Sequence, residues 1–158
     1  MIAFGSDAQP VEILLVEDNP VDVMITQKAF SRGRMYSNLH VAEDGEEATD
    51  FLYKRGKFSS APSPDIILLD LNLPKKDGRQ VLAEIKQDPN LRQIPVVVLT
   101  TSEDPQDVWR SYDLQANCFI TKPVSMKQFT DALENLGDFW FTLVRLPMPP
   151  DTQNRHCS

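Results

Sequence analysis

Apolar residues along the chain gather into five short blocks: Val11 to Val16 (VEILLV), Asn38 to Ala42, Asp65 to Asp70 (DIILLD), Pro95 to Thr101 (PVVVLTT) and Cys118 to Thr121. Each block has the length of a strand, too short for a buried helix. DIILLD is unbroken apolar sequence bounded by carboxylates, the mark of a central parallel strand covered on both faces. The stretches between the blocks carry helical spacing. After Glu17-Asp18-Asn19-Pro20, the positions Val23, Met24, Gln27 and Phe30 recur on one helix face, with Pro20 suited to the first turn. The Asp44-Gly45 turn leads into a helix from about Glu46 to Tyr53, with Ala48, Phe51 and Leu52 facing inward. A helix after Gly78 carries Val81, Leu82 and Ile85 and stops near Asp88-Pro89, because the residue before proline avoids helical torsions. A further helix is predicted from about Pro105 to Leu114, and Gly56 to Pro64 (GKFSSAPSP) is predicted to be a surface loop.

The last helix is expected to start at Ser125, which forms a capping box with Gln128, and to present Met126, Phe129, Leu133, Leu136, Trp140 and Leu143 along one face. By Val144 it would be roughly 30 Å long, ending in the Phe139-Trp140-Phe141 cluster. Residues 1–10 lack periodicity and are expected to be a flexible N-terminus, 11–146 to be the folded domain, and 147–158 a disordered tail. Five strands alternating with helices predict an α/β fold with a doubly wound, five-stranded parallel sheet and helices on both faces. In such a sheet, ligands bind outside the carboxyl ends of the strands.

Composition narrows the function. A chain of 158 residues, 41% of them hydrophobic, forms one ordinary core. With 16 basic against 23 acidic residues and a net charge of -7, no clustered basic face is available for a nucleic-acid backbone. The apolar runs fall far short of the roughly 20 residues needed to cross a bilayer, so neither nucleic acid nor membrane is an expected partner and the location is expected to be cytoplasmic. Cys118 and Cys157 have no metal-ligand spacing, and His40 and His156 are too far apart to suggest a histidine site.

The chemistry gathers at the strand ends. If the first and third strands are neighbours, Glu17, Asp18 and Asp70 emerge together at one edge and repel one another. Each pair at about 4 Å costs on the order of 1 kcal/mol in water and about 4 kcal/mol at an effective dielectric of 20. A divalent cation relieves this, and an all-oxygen site with few protein ligands suits Mg²⁺. The fourth strand delivers the hydroxyl of Thr100 and the fifth the ammonium of Lys122 to the same edge. A carboxylate there can attack phosphorus in line while cations neutralise the phosphoryl oxygens. Asp70 is the expected nucleophile, since it ends the central strand before a turn, Leu71-Asn72-Leu73-Pro74, that is expected to leave its side chain exposed.

Glu17-Asp18, the run from Asp70 to Gly78 (DLNLPKKDG), Thr100-Thr101 and Lys122-Pro123 resemble, in order and spacing, the signature of bacterial two-component receiver domains. The resemblance covers about Val11 to Leu136 and implies a flavodoxin-like sheet of receiver type. It further implies that Asp18, Asp70 and the Asn72 carbonyl bind Mg²⁺ with Glu17 acting through water, that Asp70 is phosphorylated, and that Thr100 and Lys122 hold the phosphoryl oxygens. Thr100 and Phe119 are the expected switch pair, the ring turning into space that the hydroxyl vacates, while Asn72 and Ser102 occupy positions that tune phosphoryl lifetime. Glu17 stands where Asp is commoner, Leu73 where Met is, and Phe119 where Tyr is frequent; none of these removes a working group. The Gly56 to Pro64 loop and the aromatic-ended last helix are most similar to the small cyanobacterial regulators that serve phytochrome histidine kinases. Such a kinase is the implied partner, along with an unidentified downstream protein. A long final helix that overhangs a small domain leaves apolar area exposed, so a homodimer is expected through the fourth and fifth helices, with the C-terminal extension and its Phe139, Trp140 and Phe141 contributing. The chain is then a phosphoacceptor that assists its own phosphoryl transfer and slow dephosphorylation, not a turnover enzyme.

Two other functions fit parts of the pattern. A phosphatase with an Asp nucleophile resembles it, but should carry Asp-x-Asp after the first strand, whereas Asp70-Leu71-Asn72 follows the third and lacks the second acid. A docking module that is never phosphorylated would be favoured if a site residue were missing, and none is.

Overall fold

A computed structural model describes residues 10–32, 36–100, 118–121, 127–128 and 130–135. The elements are β1 (Val11–Val16), α1 (Pro20–Arg32), β2 (Ser37–Ala42), α2 (Gly45–Leu52), a 3-10 turn (Gly56–Phe58), β3 (Ile66–Asp70), α3 (Gly78–Gln87), β4 (Val96–Thr100) and β5 (Cys118–Thr121). The sheet runs β2-β1-β3-β4-β5, with all neighbours parallel. The chain therefore winds outward in both directions from the β1/β3 pair, where open α/β sheets form their crevice.

Alternation along the strands divides the core into two layers. Ile13, Leu15, Ile66, Leu68, Val97 and Leu99 pack with Ile25, Ala29 and Phe30 of α1 and with Leu133 from the helical residues 130–135. Leu14, Val16, Ile67, Leu69, Val96 and Val98 pack on the opposite side with Ala48, Phe51 and Leu52 of α2 and Val81, Leu82 and Ile85 of α3. Every residue of β3 is buried, as its unbroken apolar sequence requires of a strand covered on both faces. Asp44 caps α2 by accepting from the Glu47 amide, and Asp77 caps α3 by accepting from the Arg79 amide. At the far end of α3, Asp88 is extended at ψ 124° ahead of Pro89.

One local expectation is corrected and another refined. The buried stripe of α1 is Ile25, Thr26, Ala29 and Phe30, whereas Met24 and Gln27 face solvent. Thr26 can be buried because its hydroxyl donates to the Asp22 carbonyl at 2.8 Å, so a polar residue took the place that apolar periodicity had given to Met24. The segment from Gly56 to Pro64 is largely exposed, as expected of a surface loop, but it is not wholly peripheral: Phe58, the last residue of the 3-10 turn, is half-buried and packs edge-on against Phe51 with ring centres 5.4 Å apart. Among the described residues, no helix is long and apolar enough to cross a membrane. The predicted helix from Pro105 to Leu114, the Ser125 cap and the two terminal segments (residues 1–9 and 147–158) lie outside the described residues.

Candidate functional site

Strand pairing sets the acidic residues side by side. Val16 of β1 is in register with Leu69 of β3, so the next residue on each strand, Glu17 and Asp70, reaches the same carboxyl edge. The Glu17 amide donates to the Ala42 carbonyl at 2.9 Å, extending the ladder to β2 by one residue and fixing where the loop begins. Oxygen atoms from Glu17, Asp18 and Asp70 lie within 4.8 Å of one another. Asp18 is exposed, while Glu17 is only 1% and Asp70 6% exposed. The expectation of an exposed Asp70 side chain is thus corrected: Asp70 is buried, and so is Leu71, the residue that follows it.

This cluster meets the chemical demands of a hard divalent ion. Its donors are all oxygen, its two interior members are withdrawn from water, and three charges at this spacing repel by about 1 kcal/mol per pair even at the dielectric of water. The electrostatic relief that a bound cation supplies is therefore large.

The segment from Leu71 to Asp77 is a closed structural unit. The Asn72 amide donates to Asp70 Oδ1 at 3.0 Å, and the Gly78 amide donates to the Leu71 carbonyl at 3.0 Å, joining the ends of the loop. Within it, the Lys76 amide donates to the Pro74 carbonyl at 2.7 Å across Lys75, whose φ is 65°. This is a γ-turn of the strained hand, costing on the order of 1 to 3 kcal/mol, and it persists because its surroundings hold it. Lys75 Nζ lies 3.5 Å from Asp44 Oδ2, and Lys76 Nζ donates to Thr49 Oγ1 at 3.1 Å and pairs with Glu84. Two glycines allow the close packing. A Cβ on Gly78 would sit 2.2 Å from the Asp70 carbonyl oxygen, and one on Gly45 would sit 2.0 Å from that of Lys76.

The sequence reading missed Gly45, Gly78, Thr49 and Lys76. Their signal was the repeated Asp-Gly dipeptide at 44–45 and 77–78: both were read as leading into helices, but nothing in the pattern showed that the two helix starts pack against one loop. Thr100 ends β4 one residue beyond Leu99, which is in register with Asp70, so its backbone reaches the acidic edge. Phe119 is in register with Val98 on β5. The side chains of Thr100 and Phe119, and all of Ser102, Lys122, Phe139, Trp140 and Phe141, lie outside the described residues.

Residues 13–134 match the response regulator receiver domain model. Response regulator Rcp1 of Synechocystis sp. is 46% identical over 138 residues, covering 87% of this chain and 94% of that protein. The probable methanogenesis regulatory protein FilR2 of Methanothrix harundinacea is 39% identical over 140 residues, covering 89% and 90%. Among solved structures, the Mn²⁺-bound form of Rcp1 superposes with a TM-score of 0.83 at 46% identity, over 88% of this chain and 100% of that one. The phosphorylated cyanobacterial phytochrome response regulator RcpA does so with a TM-score of 0.82 at 46% identity, over 85% and 96%. The match spans most of the chain, and the acidic cluster sits where a doubly wound sheet places its ligands; this chain belongs to the response regulator receiver domain family.

Proposed function

We propose that this chain is a cytoplasmic phosphoacceptor of a two-component pathway, receiving a phosphoryl group on Asp70 from a phytochrome histidine kinase and passing the signal to a downstream protein. The observation that carries the proposal is the cluster of Glu17, Asp18 and Asp70, their oxygens within 4.8 Å at the carboxyl edge of two adjacent central strands. The phytochrome assignment is supported by the likeness to RcpA, whose structure is described as a cyanobacterial phytochrome response regulator.

Glu17, Asp18, Asp70 and the Asn72 carbonyl are the residues proposed to hold Mg²⁺, which when bound would offset carboxylate repulsion and the charge on the phosphoryl oxygens. An Asp70 carboxylate oxygen forms the new bond to phosphorus. The phosphorus–nitrogen bond of the donor phosphohistidine breaks, and the imidazole nitrogen leaves with the electron pair. The Asn72 amide, on Oδ1 at 3.0 Å, orients the carboxylate for in-line attack. Thr100 and Lys122 are assigned to the phosphoryl oxygens, Thr100 with Phe119 to the switch, and Phe139, Trp140 and Phe141 to a homodimer contact. A charge-assisted hydrogen bond contributes roughly 1.5 to 3 kcal/mol, enough to bias two conformations of similar energy.

The test is incubation with acetyl phosphate and Mg²⁺ followed by intact-mass measurement. Wild type is expected to gain one phosphoryl group and Asp70→Asn none; equal labelling of both would place the acceptor elsewhere. Steady phosphate release from a phosphomonoester would instead favour the phosphatase reading.

A further inference from the structure

We propose that Lys76 is a positioning residue for phosphoryl acceptance, an inference that rests on the reading of Asp70 as the acceptor. Its ammonium donates to Thr49 Oγ1 at 3.1 Å, and the Thr49 hydroxyl donates to the Gly45 carbonyl at 3.0 Å. Gly45 in turn packs against the backbone carbonyl of Lys76, so closely that an added Cβ would lie 2.0 Å from that oxygen. The contacts form a closed ring: the Lys76 side chain holds α2 at Thr49 while its own peptide leans on the same helix one turn earlier, at Gly45. Glu84 of α3 pairs with the same ammonium and makes the grip three-cornered.

This ring bears on the reacting carboxylate because of where it joins the loop. Lys76 follows the strained γ-turn at Lys75, and the loop ends are tied by the Gly78 amide on the Leu71 carbonyl. A loop closed in this way has little slack, so movement at Lys76 is passed on to Asn72, whose amide holds Asp70 Oδ1, or to Gly78, whose Cα abuts the Asp70 carbonyl. Lys76 therefore acts through other residues and need not touch the phosphoryl group.

Burial separates the two lysines. The Lys75 side chain is 62% exposed and its contact with Asp44 spans 3.5 Å, so solvent screens it heavily. Lys76 is 18% exposed and donates to a buried hydroxyl, where a lost partner leaves polar groups unsatisfied.

The experiment compares wild type, Lys76→Met, Lys76→Arg and Thr49→Val in the intact chain. The readouts are the acetyl phosphate labelling rate at saturating Mg²⁺, the Mg²⁺ concentration for half-maximal rate, and the urea midpoint. Lys76→Met keeps the aliphatic stem but loses the donor; it is expected to slow labelling about tenfold and raise the Mg²⁺ half-saturation, since misplacement of about 1 Å reaches a hundredfold. Thr49→Val is expected to reproduce the defect by removing the other end of the contact, which keeps the inference testable if Lys76→Met folds poorly. Lys76→Arg is expected to recover most of the rate. Labelling rates and Mg²⁺ half-saturation within twofold of wild type in folded Lys76→Met and Thr49→Val would overturn the assignment, as would a defect that only tracks the unfolded fraction. A wild-type chain that takes no label would overturn the acceptor reading and this inference with it, whereas a labelled wild type with unaffected variants overturns this inference alone.

Discussion

Replacing Gly78 with alanine sets a general preference against a local one. Gly78 is the first residue of α3, and in an unobstructed helix alanine would be favoured there by about 1 kcal/mol. Here the new methyl would lie 2.2 Å from the Asp70 carbonyl oxygen, 2.7 Å from the Leu71 Cα and 3.0 Å from the Leu71 oxygen. All three are backbone atoms of the strand end and the turn that cover the site, so no side chain can rotate away. To open the shortest contact to even 3.0 Å, α3 must back away from β3, stretching the hydrogen bond from the Gly78 amide to Leu71. Overpacking of this kind costs about 1 to 3 kcal/mol, enough to cancel or exceed the helix preference. The displaced group is the peptide of the proposed acceptor, so the acetyl phosphate labelling rate is expected to fall by about a hundredfold. Urea denaturation and labelling of Gly78→Ala, compared with Gln80→Ala on the exposed face of the same helix, separate the effects. A Gly78→Ala protein as stable as Gln80→Ala, and labelled at the wild-type rate, would refute the close-packing argument.

Three further outcomes are expected. The Tyr53 hydroxyl donates to Asp88 Oδ2 at 2.7 Å, a bond that holds the Asp88 carboxyl below its ordinary range and pushes the Tyr53 hydroxyl above its own. A depressed acid stabilises the fold above its unfolded pKa and loses that contribution as pH falls through the folded value, whereas a raised phenol stabilises below its unfolded pKa and loses it as pH rises through the folded value. The stability difference between wild type and Tyr53→Phe, from urea midpoints, should therefore be present at neutral pH and shrink both in acid and in strong alkali; a pH-independent difference would contradict this. Leu82→Ala, emptying a fully buried position between α3 and the sheet, is expected to cost about 2 to 5 kcal/mol in chemical denaturation. Mg²⁺ at a hundredfold excess over its Kd should stabilise the chain by about 2.7 kcal/mol in thermal unfolding, an increment that a chelator removes and Asp18→Asn largely abolishes; an equal shift in Asp18→Asn would place the ion elsewhere.

Much was legible from the chain alone because it depends on local pattern. An unbroken apolar run ending in Asp70 can only be a strand covered on both sides, and polar, helically spaced segments between such runs impose parallel crossovers. Those two facts send the ends of β1 and β3 to the same edge of the sheet; that the two strands are neighbours, which brings Glu17, Asp18 and Asp70 together, was decided by the tertiary structure. The helix ends were nearly as plain, since Pro20, Asp44 and Asp77, and the extended residue before Pro89, each act through their own backbone. What the pattern could not supply was orientation and proximity. The rotation of α1 was decided by a buried threonine satisfying itself on its own helix, which apolar counting cannot see. The burial of Glu17 and Asp70, the seating of Phe58 on Phe51 and the contact of Gly45 with Lys76 depend on segments from different elements meeting in space. Periodicity carries the side of an element on which a residue lies, through a fixed backbone repeat; which distant backbone comes to rest against it is set only when the layers close-pack.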